Sequence, residues 1–490
     1  MRRFIPLVIA AFLTAAPGLA IETVELQNDS PLVSIRILFR TGAASDPEGK
    51  EGAAALTAAM LSRGGTQDVA YDEIVERLFP MAASVSAQTD METIVFHGTT
   101  HIENLEEYYS TLRAMLLEPG WREDDFRRLK DEALNFLRVE LSSNNEEELG
   151  KELLYLKIYE GSPYGHHSIG RAPALEALTL DDVKAFYAAN YRQGNLVIGL
   201  AGGYPDGFAE RVAQDFAALA EGSPAAVELA APTRTEKLRV HIIEKDTRST
   251  LISIGFPIDV VRGHPDWPAL KLAQSYFGQH RSSKSHLYQR IREIRGMNYG
   301  DYAYIEYFPR GMYLTEPQPN LARRQQIFQI WIRPVPPENG MFALRIALYE
   351  LNKLVREGIS GEDFESTRRF LKKFVNLLTQ TQDGELGYAL DSQFYETPAF
   401  NGYIKDGLDA LDVEKVNAAI AKHLRASDLD VVVITKDAAG FRRALLSGAP
   451  STIQYASTPP EQILAEDKII GPYPLEIGSV EIIPADTIFE

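Results

Sequence analysis

The chain repeats itself, and that repetition limits its folds more than any other feature. The segment Arg192-Gln-Gly-Asn-Leu196-Val-Ile-Gly-Leu-Ala-Gly-Gly-Tyr-Pro-Asp-Gly-Phe208 is echoed by Arg425-Ala-Ser-Asp-Leu429-Asp-Val-Val-Val-Ile-Thr-Lys-Asp-Ala-Ala-Gly-Phe441. Each reads as a buried strand, a turn and the start of a helix. Earlier in each half, β-rich runs at 32–39 and 251–256 precede helical stretches at 52–63 and 266–278. Further helices are expected at 104–118, 123–141, 180–189, 341–357 and 361–380. At 490 residues the chain exceeds what one core usually serves. The reading is therefore α+β, a tandem of two homologous sandwich (roll) domains, each a mainly antiparallel sheet covered by helices.

Composition places the boundaries. Arg2-Arg3, the apolar run Phe4 to Ala16 and the small residues Gly18-Leu19-Ala20 describe a signal peptide over 1–20. Domains are expected at 21–221 and 238–445, with a Pro/Ala/Ser-containing linker at 222–237 between them. The tail at 446–490 reads as irregular chain with a short strand or two. There is no cysteine, hence no disulfide framework, lipid-anchoring cysteine or thiolate zinc site. An exported chain of this kind suits the periplasm, or secretion beyond it. The net charge of −18 disfavours nucleic-acid partners, and no membrane span is expected.

Several ordered residues then carry a resemblance. Gly52, Met60-Leu61 and Gly65-Thr66 come early; Pro163-Tyr164-Gly165, Ile169-Gly170, Leu178-Thr179, Phe186-Tyr187, Tyr191-Arg192 and Asn195-Leu196 follow. In this order they resemble the pitrilysin/insulinase family of inverted-zincin metallopeptidases. That family binds zinc through H-x-x-E-H on a helix, with the glutamate activating water. The resemblance places Ala55 and Ala59 at the histidine positions, Ala58 at the glutamate and Phe136 at the third ligand. None of these side chains can hold zinc, so no cofactor is expected on this chain. Read alone, residues 53–61 are an alanine-rich packed helix.

Other metal arrangements read as structural. His97 and His101 fall in a β-branched run, where their spacing does not converge. His166-His167 follows a loop signal, and Glu146-Glu147-Glu148 reads as a solvated acidic turn or helix start. No G-x-S-x-G, no phosphate-binding G-x-x-x-x-G-K-[ST] and no cysteine nucleophile offers another hydrolytic site.

The second half carries the positive signal. Residues 286–295 read as an amphipathic helix ended by Gly296, leading into a strand with Tyr302, Tyr304 and Phe308. The resemblance implies that Arg292 and Tyr299 match an arginine and a tyrosine that bind substrate carbonyls and the developing oxyanion in relatives. Spacing alone leaves a solvated face open, with Arg290 and Arg295 as rivals to Arg292. Some relatives are heterodimers in which one subunit holds zinc and the other the Arg/Tyr pair. The resemblance thus implies a noncatalytic subunit, half of a clamshell, whose exported partner carries H-x-x-E-H and zinc, acting on peptides or unfolded proteins. The competing expectation is a metal-free peptide-binding or assembly protein with no part in hydrolysis.

Overall fold

A computed structural model describes residues 21–490 apart from 233, 312, 313 and 456–458. The leader expected at 1–20 lies outside the described residues. Strands β1 (Glu22–Gln27), β2 (Leu32–Phe39), β3 (Ser86–Thr89), β4 (Ile94–His101) and β5 (Leu196–Gly202) form one sheet in the order β1-β5-β2-β4-β3. Strands β6 (Leu238–Glu244), β7 (Thr250–Ile258), β8 (Asp301–Tyr304), β9 (Gln326–Val335), β10 (Asp430–Thr435) and β11 (Ile477–Pro484) form the other, ordered β11-β6-β10-β7-β9-β8. Apart from β11, each strand has its counterpart at the same place in the other sheet. The duplication read in the sequence is thus a duplication of topology.

Both sheets are mixed. The pair β1–β5 is parallel and the other pairs of the first sheet are antiparallel. In the second sheet β6 pairs in parallel with both β10 and β11, and the remaining pairs are antiparallel. Strands β2, β5, β7 and β10 are buried on nearly every residue because helices pack on the sheets.

The two halves exchange helices. The helix Glu146–Ile158 belongs to the first half but packs on β7 and β10 of the second; the helix Gln382–Phe394 belongs to the second half but packs on β5, β2 and β1 of the first. Glycine makes room at both contacts. A Cβ at Gly255 would stand 3.0 Å from Leu154 Cδ2, and one at Gly199 3.1 Å from Leu390 Cδ1. The exchanged helices share a Glu-Leu-Gly, at 148–150 and 385–387.

Three expectations change. The tail holds a helix, Glu461–Ile470, as well as β11, which extends the second sheet; its apolar residues are spent on β6 rather than on a local pattern. The run 123–141 is an α-helix to Asn135 and then a wider π-helical turn over Phe136–Leu141. The helix expected at 286–295 is likewise π-helical over Tyr288–Glu293, with Ile294 N–H donating to Gln289 C=O at 3.0 Å. Among the described residues, no helix is long and apolar enough to cross a membrane.

Candidate functional site

The helix Ala53–Arg63 is built as a rigid wall. Asp46 caps its start, accepting Gly52 N–H and Ala54 N–H at 2.7 Å each. Gly52 has φ 118°, and a Cβ there would come within 2.6 Å of Leu175 Cδ2, so only glycine enters this turn. Met60 and Leu61 are buried in the core of the first half. On another face Ala55, Ala58 and Ala59 border a cavity of about 770 Å³, with Phe136 beside them.

The four positions that the resemblance assigned to metal ligands line one cavity with hydrocarbon side chains. Zinc needs about four N, O or S donors, so this wall does not fit the ion and no step can be routed through one. Phe136 instead packs its ring against His167, centroids 5.8 Å apart. His97, on β4, also lines the cavity, while His101, the last residue of β4, accepts Glu103 N–H at 3.3 Å. Among the described residues, neither His97 with His101 nor His166 with His167 joins a third metal-ligating side chain in a cluster.

The polar floor of the cavity was missed by sequence reasoning. His167 and Glu152 are both buried, with Nε2 and Oε2 3.9 Å apart. Tyr307, from the second half, donates its hydroxyl to Glu152 Oε1 at 2.7 Å. Burial pushes the Glu152 carboxyl up to about 7, and burial pushes the His167 imidazole down to about 3. The Glu146–Glu148 run begins a helix, capped by Asn145, but it is not simply solvated. Glu146 pairs with Lys245 at 3.2 Å and Glu147 with Arg333 at 3.0 Å; Glu148 pairs with Lys151 at 2.6 Å and accepts Arg310 N–H at 2.9 Å. The triplet ties the exchanged helix to the other half. The second Glu-Leu-Gly, at 385–387, marks the equivalent helix but not these partners.

Strand β3, the edge of its sheet, packs beside the helix Ala53–Arg63 and also lines the cavity from Ser86 to Thr89. Among the described residues it pairs only with β4, so one row of its backbone groups has no strand partner.

Arg292 and Tyr299 do not border this cavity. Arg292 lies 4.7 Å above the Tyr288 ring, donates to the Tyr288 hydroxyl and pairs with Glu293 at 2.7 Å. Its rivals are committed elsewhere. Arg290 is bound by buried Glu350 at 2.6 Å and by Glu466, and Arg295, fully buried, pairs with Glu466 at 2.7 Å and Asp467 at 2.9 Å. Tyr299 stands 77% exposed on a pinned turn. Asn298 holds that turn by donating to Asp301 Oδ1 at 2.7 Å and to Arg333 C=O at 3.2 Å.

Comparison with known proteins places the chain in a family. A family model described as insulinase (peptidase family M16) matches residues 23–171, and one described as peptidase M16 inactive domain matches residues 177–371. The protein named non-peptidase homolog YmxG, of Helicobacter pylori, is 19% identical over 412 residues, 83% of this chain and 89% of its own. The Bacillus subtilis protein named uncharacterized zinc protease YmxG is 22% identical over 375 residues, 76% and 85% of the two chains. A solved structure of a peptidase M16 inactive domain from Pseudomonas fluorescens superposes with a TM-score of 0.72 at 24% identity, covering 84% of this chain and 94% of that one. With the two family models running on from one another over residues 23–371, this protein belongs to the insulinase (M16) peptidase family.

Proposed function

We propose that this chain is the noncatalytic subunit of a heterodimeric zinc endopeptidase, exported to the periplasm, and that Arg292 and Tyr299 complete the zinc site of a homologous H-x-x-E-H-bearing partner. The carrying observation is the division of labour among three neighbouring arginines. Arg290 and Arg295 are locked by Glu350, Glu466 and Asp467, whereas among the described residues Arg292 is held by Tyr288 and Glu293 within its own turn. Tyr299 is presented to solvent on a rigid turn, and neither residue serves this chain's own cavity. At a partner's zinc, the phenol and guanidinium would donate hydrogen bonds to the substrate carbonyl as it gains negative charge, an effect of several kcal/mol in a dry site. The open edge of β3 suits an extended peptide added as a further strand. The likeness to a relative named a non-peptidase homologue supports the noncatalytic part of this reading.

Co-expression with an exported, H-x-x-E-H-bearing homologue and assay of a quenched fluorescent peptide test it. The pair cleaves and neither subunit does alone; Arg292→Ala with Tyr299→Phe lowers turnover without dissociating the pair. A partner that is fully active alone, or a double substitution without effect, refutes it. The second reading, a metal-free peptide-binding or assembly protein, is favoured by the open β3 edge on a cavity of about 770 Å³ within the single chain. It requires peptide binding by this chain alone and no effect on hydrolysis.

A further inference from the structure

A separate cluster lies where the end of the helix Val413–His423 meets the start of the helix Trp267–Gly278. We propose that His264, Asp266 and His423 bind a divalent transition-metal ion of the zinc class, with the remaining coordination left to solvent. One ligand atom from each lies within 4.8 Å of the other two. His423 Nε2 is 2.7 Å from Asp266 Oδ2, and the two imidazole rings meet edge to face with centroids 5.6 Å apart. His264 Nδ1 accepts Asp266 N–H at 3.0 Å, which identifies that nitrogen as the one bearing a lone pair.

The geometry is close to what an ion requires. Tetrahedral bonds of about 2.0–2.1 Å place neighbouring ligand atoms roughly 3.3–3.5 Å apart. The His423–Asp266 pair must therefore open by less than about 1 Å, while His264 turns inward and leaves Asp266 N–H to water. Two imidazoles and one carboxylate suit Zn²⁺, Co²⁺, Ni²⁺ or Cu²⁺ rather than Mg²⁺ or Ca²⁺. All three residues are half-buried, so an ion reaches them while the helices hold them. His264 and Asp266 come from the turn before one helix and His423 from the end of another, so the ion would join two elements. The cluster shares no residue with the alanine wall or with Arg292 and Tyr299.

Lys422 is the competitor. Its Nζ lies 2.7 Å from Asp266 Oδ2, the oxygen that also faces His423, and its side chain is 63% exposed and free to swing away. Without metal, the Asp266 carboxylate is paired with Lys422 and His423.

The test is a Co²⁺ titration of the chelator-treated full chain followed by visible absorption, with Zn²⁺ displacement as a second readout. One Co²⁺ per chain is expected, with the absorption bands of a four-coordinate N/O site. His264→Ala and His423→Ala each weaken binding by at least the ~10–100-fold that losing an outer-shell partner costs. Lys422→Ala strengthens it, because the competing ammonium is gone; this arm keeps its meaning if a histidine variant fails to fold. Absence of a saturable spectrum, unchanged affinity in both histidine variants, or indifference to Lys422→Ala overturns the proposal.

Discussion

Arg323 reaches from the second half into the first and clasps Asp90 with two hydrogen bonds, Nε to Oδ2 at 2.7 Å and Nη2 to Oδ1 at 2.5 Å, with both side chains at most 3% exposed. The guanidinium also lies 3.5 Å from the centre of the Tyr307 ring. Beside this pair, Arg324 binds Glu92, and Thr93 Oγ1 donates to Asn320 C=O at 2.7 Å. The turn between β3 and β4 is thereby fixed to the other half, and with it the edge strand that borders the cavity. Removing one member of such a pair leaves a buried charge unanswered. Asp90→Ala is expected to cost about 3–5 kcal/mol, read by urea unfolding. Replacing both Asp90 and Arg323 by apolar residues should cost less than that single change; equal or greater loss would contradict the desolvation argument.

The arginines of the second half should separate by stability alone. Arg295 is fully buried against Glu466 and Asp467, so Arg295→Ala should lose about 3 kcal/mol or more. Arg292→Ala and Tyr299→Phe touch only local partners and should stay within about 0.5 kcal/mol of the parent. Thermal unfolding of the three variants decides this. A large loss at Arg292 would make it a structural residue and remove it from the proposed site.

The alanine wall should accept its missing ligands. Ala55, Ala58 and Ala59 share one helix face that borders open space, and Asp46 and Gly52 fix the helix independently of that face. Ala55→His, Ala58→Glu, Ala59→His and Phe136→Glu together are expected to bind one Zn²⁺. Calorimetric titration should be run in a His423→Ala background, so that the second-half cluster does not contribute. No added zinc stoichiometry in a folded variant would show that the helix no longer holds the geometry.

Glu152 makes stability depend on pH. Its carboxyl holds its proton more tightly folded, at about 7, than at the ordinary 4.5 of the unfolded chain. Its stabilising contribution is whole below the unfolded value and is lost as pH rises through the folded one. His167 works in the opposite direction, contributing above its ordinary 6.5 and losing that contribution as pH falls toward 3. Glu152→Gln leaves His167 in place and keeps an acceptor for Tyr307. Between about pH 5 and pH 8.5 the variant should therefore lose less stability than the parent, by an amount of the order of 3 kcal/mol. Parallel pH profiles for the two proteins would show that the carboxyl ionises normally.

Local signals on this chain were strong enough to read directly. The runs at 32–39 and 251–256 and the echo between 192–208 and 425–441 gave the duplicated strands, because side-chain period and turn chemistry are properties of a few adjacent residues. The chemistry of Ala55, Ala58, Ala59 and Phe136 was equally plain, since a methyl group or a phenyl ring offers a metal nothing wherever the fold places it. What the tertiary structure decided was partnership. Nothing near residue 146 says that its helix covers the other half's sheet, that Glu147 meets Arg333, or that Glu152 receives Tyr307. Likewise Arg290, Arg292 and Arg295 are indistinguishable along one turn until Glu350, Glu466 and Asp467 arrive from distant segments to engage two of them. A sequence dictates which groups its residues carry and which elements they favour; burial and charge pairing depend on segments hundreds of residues apart meeting, and only the packed chain sets those.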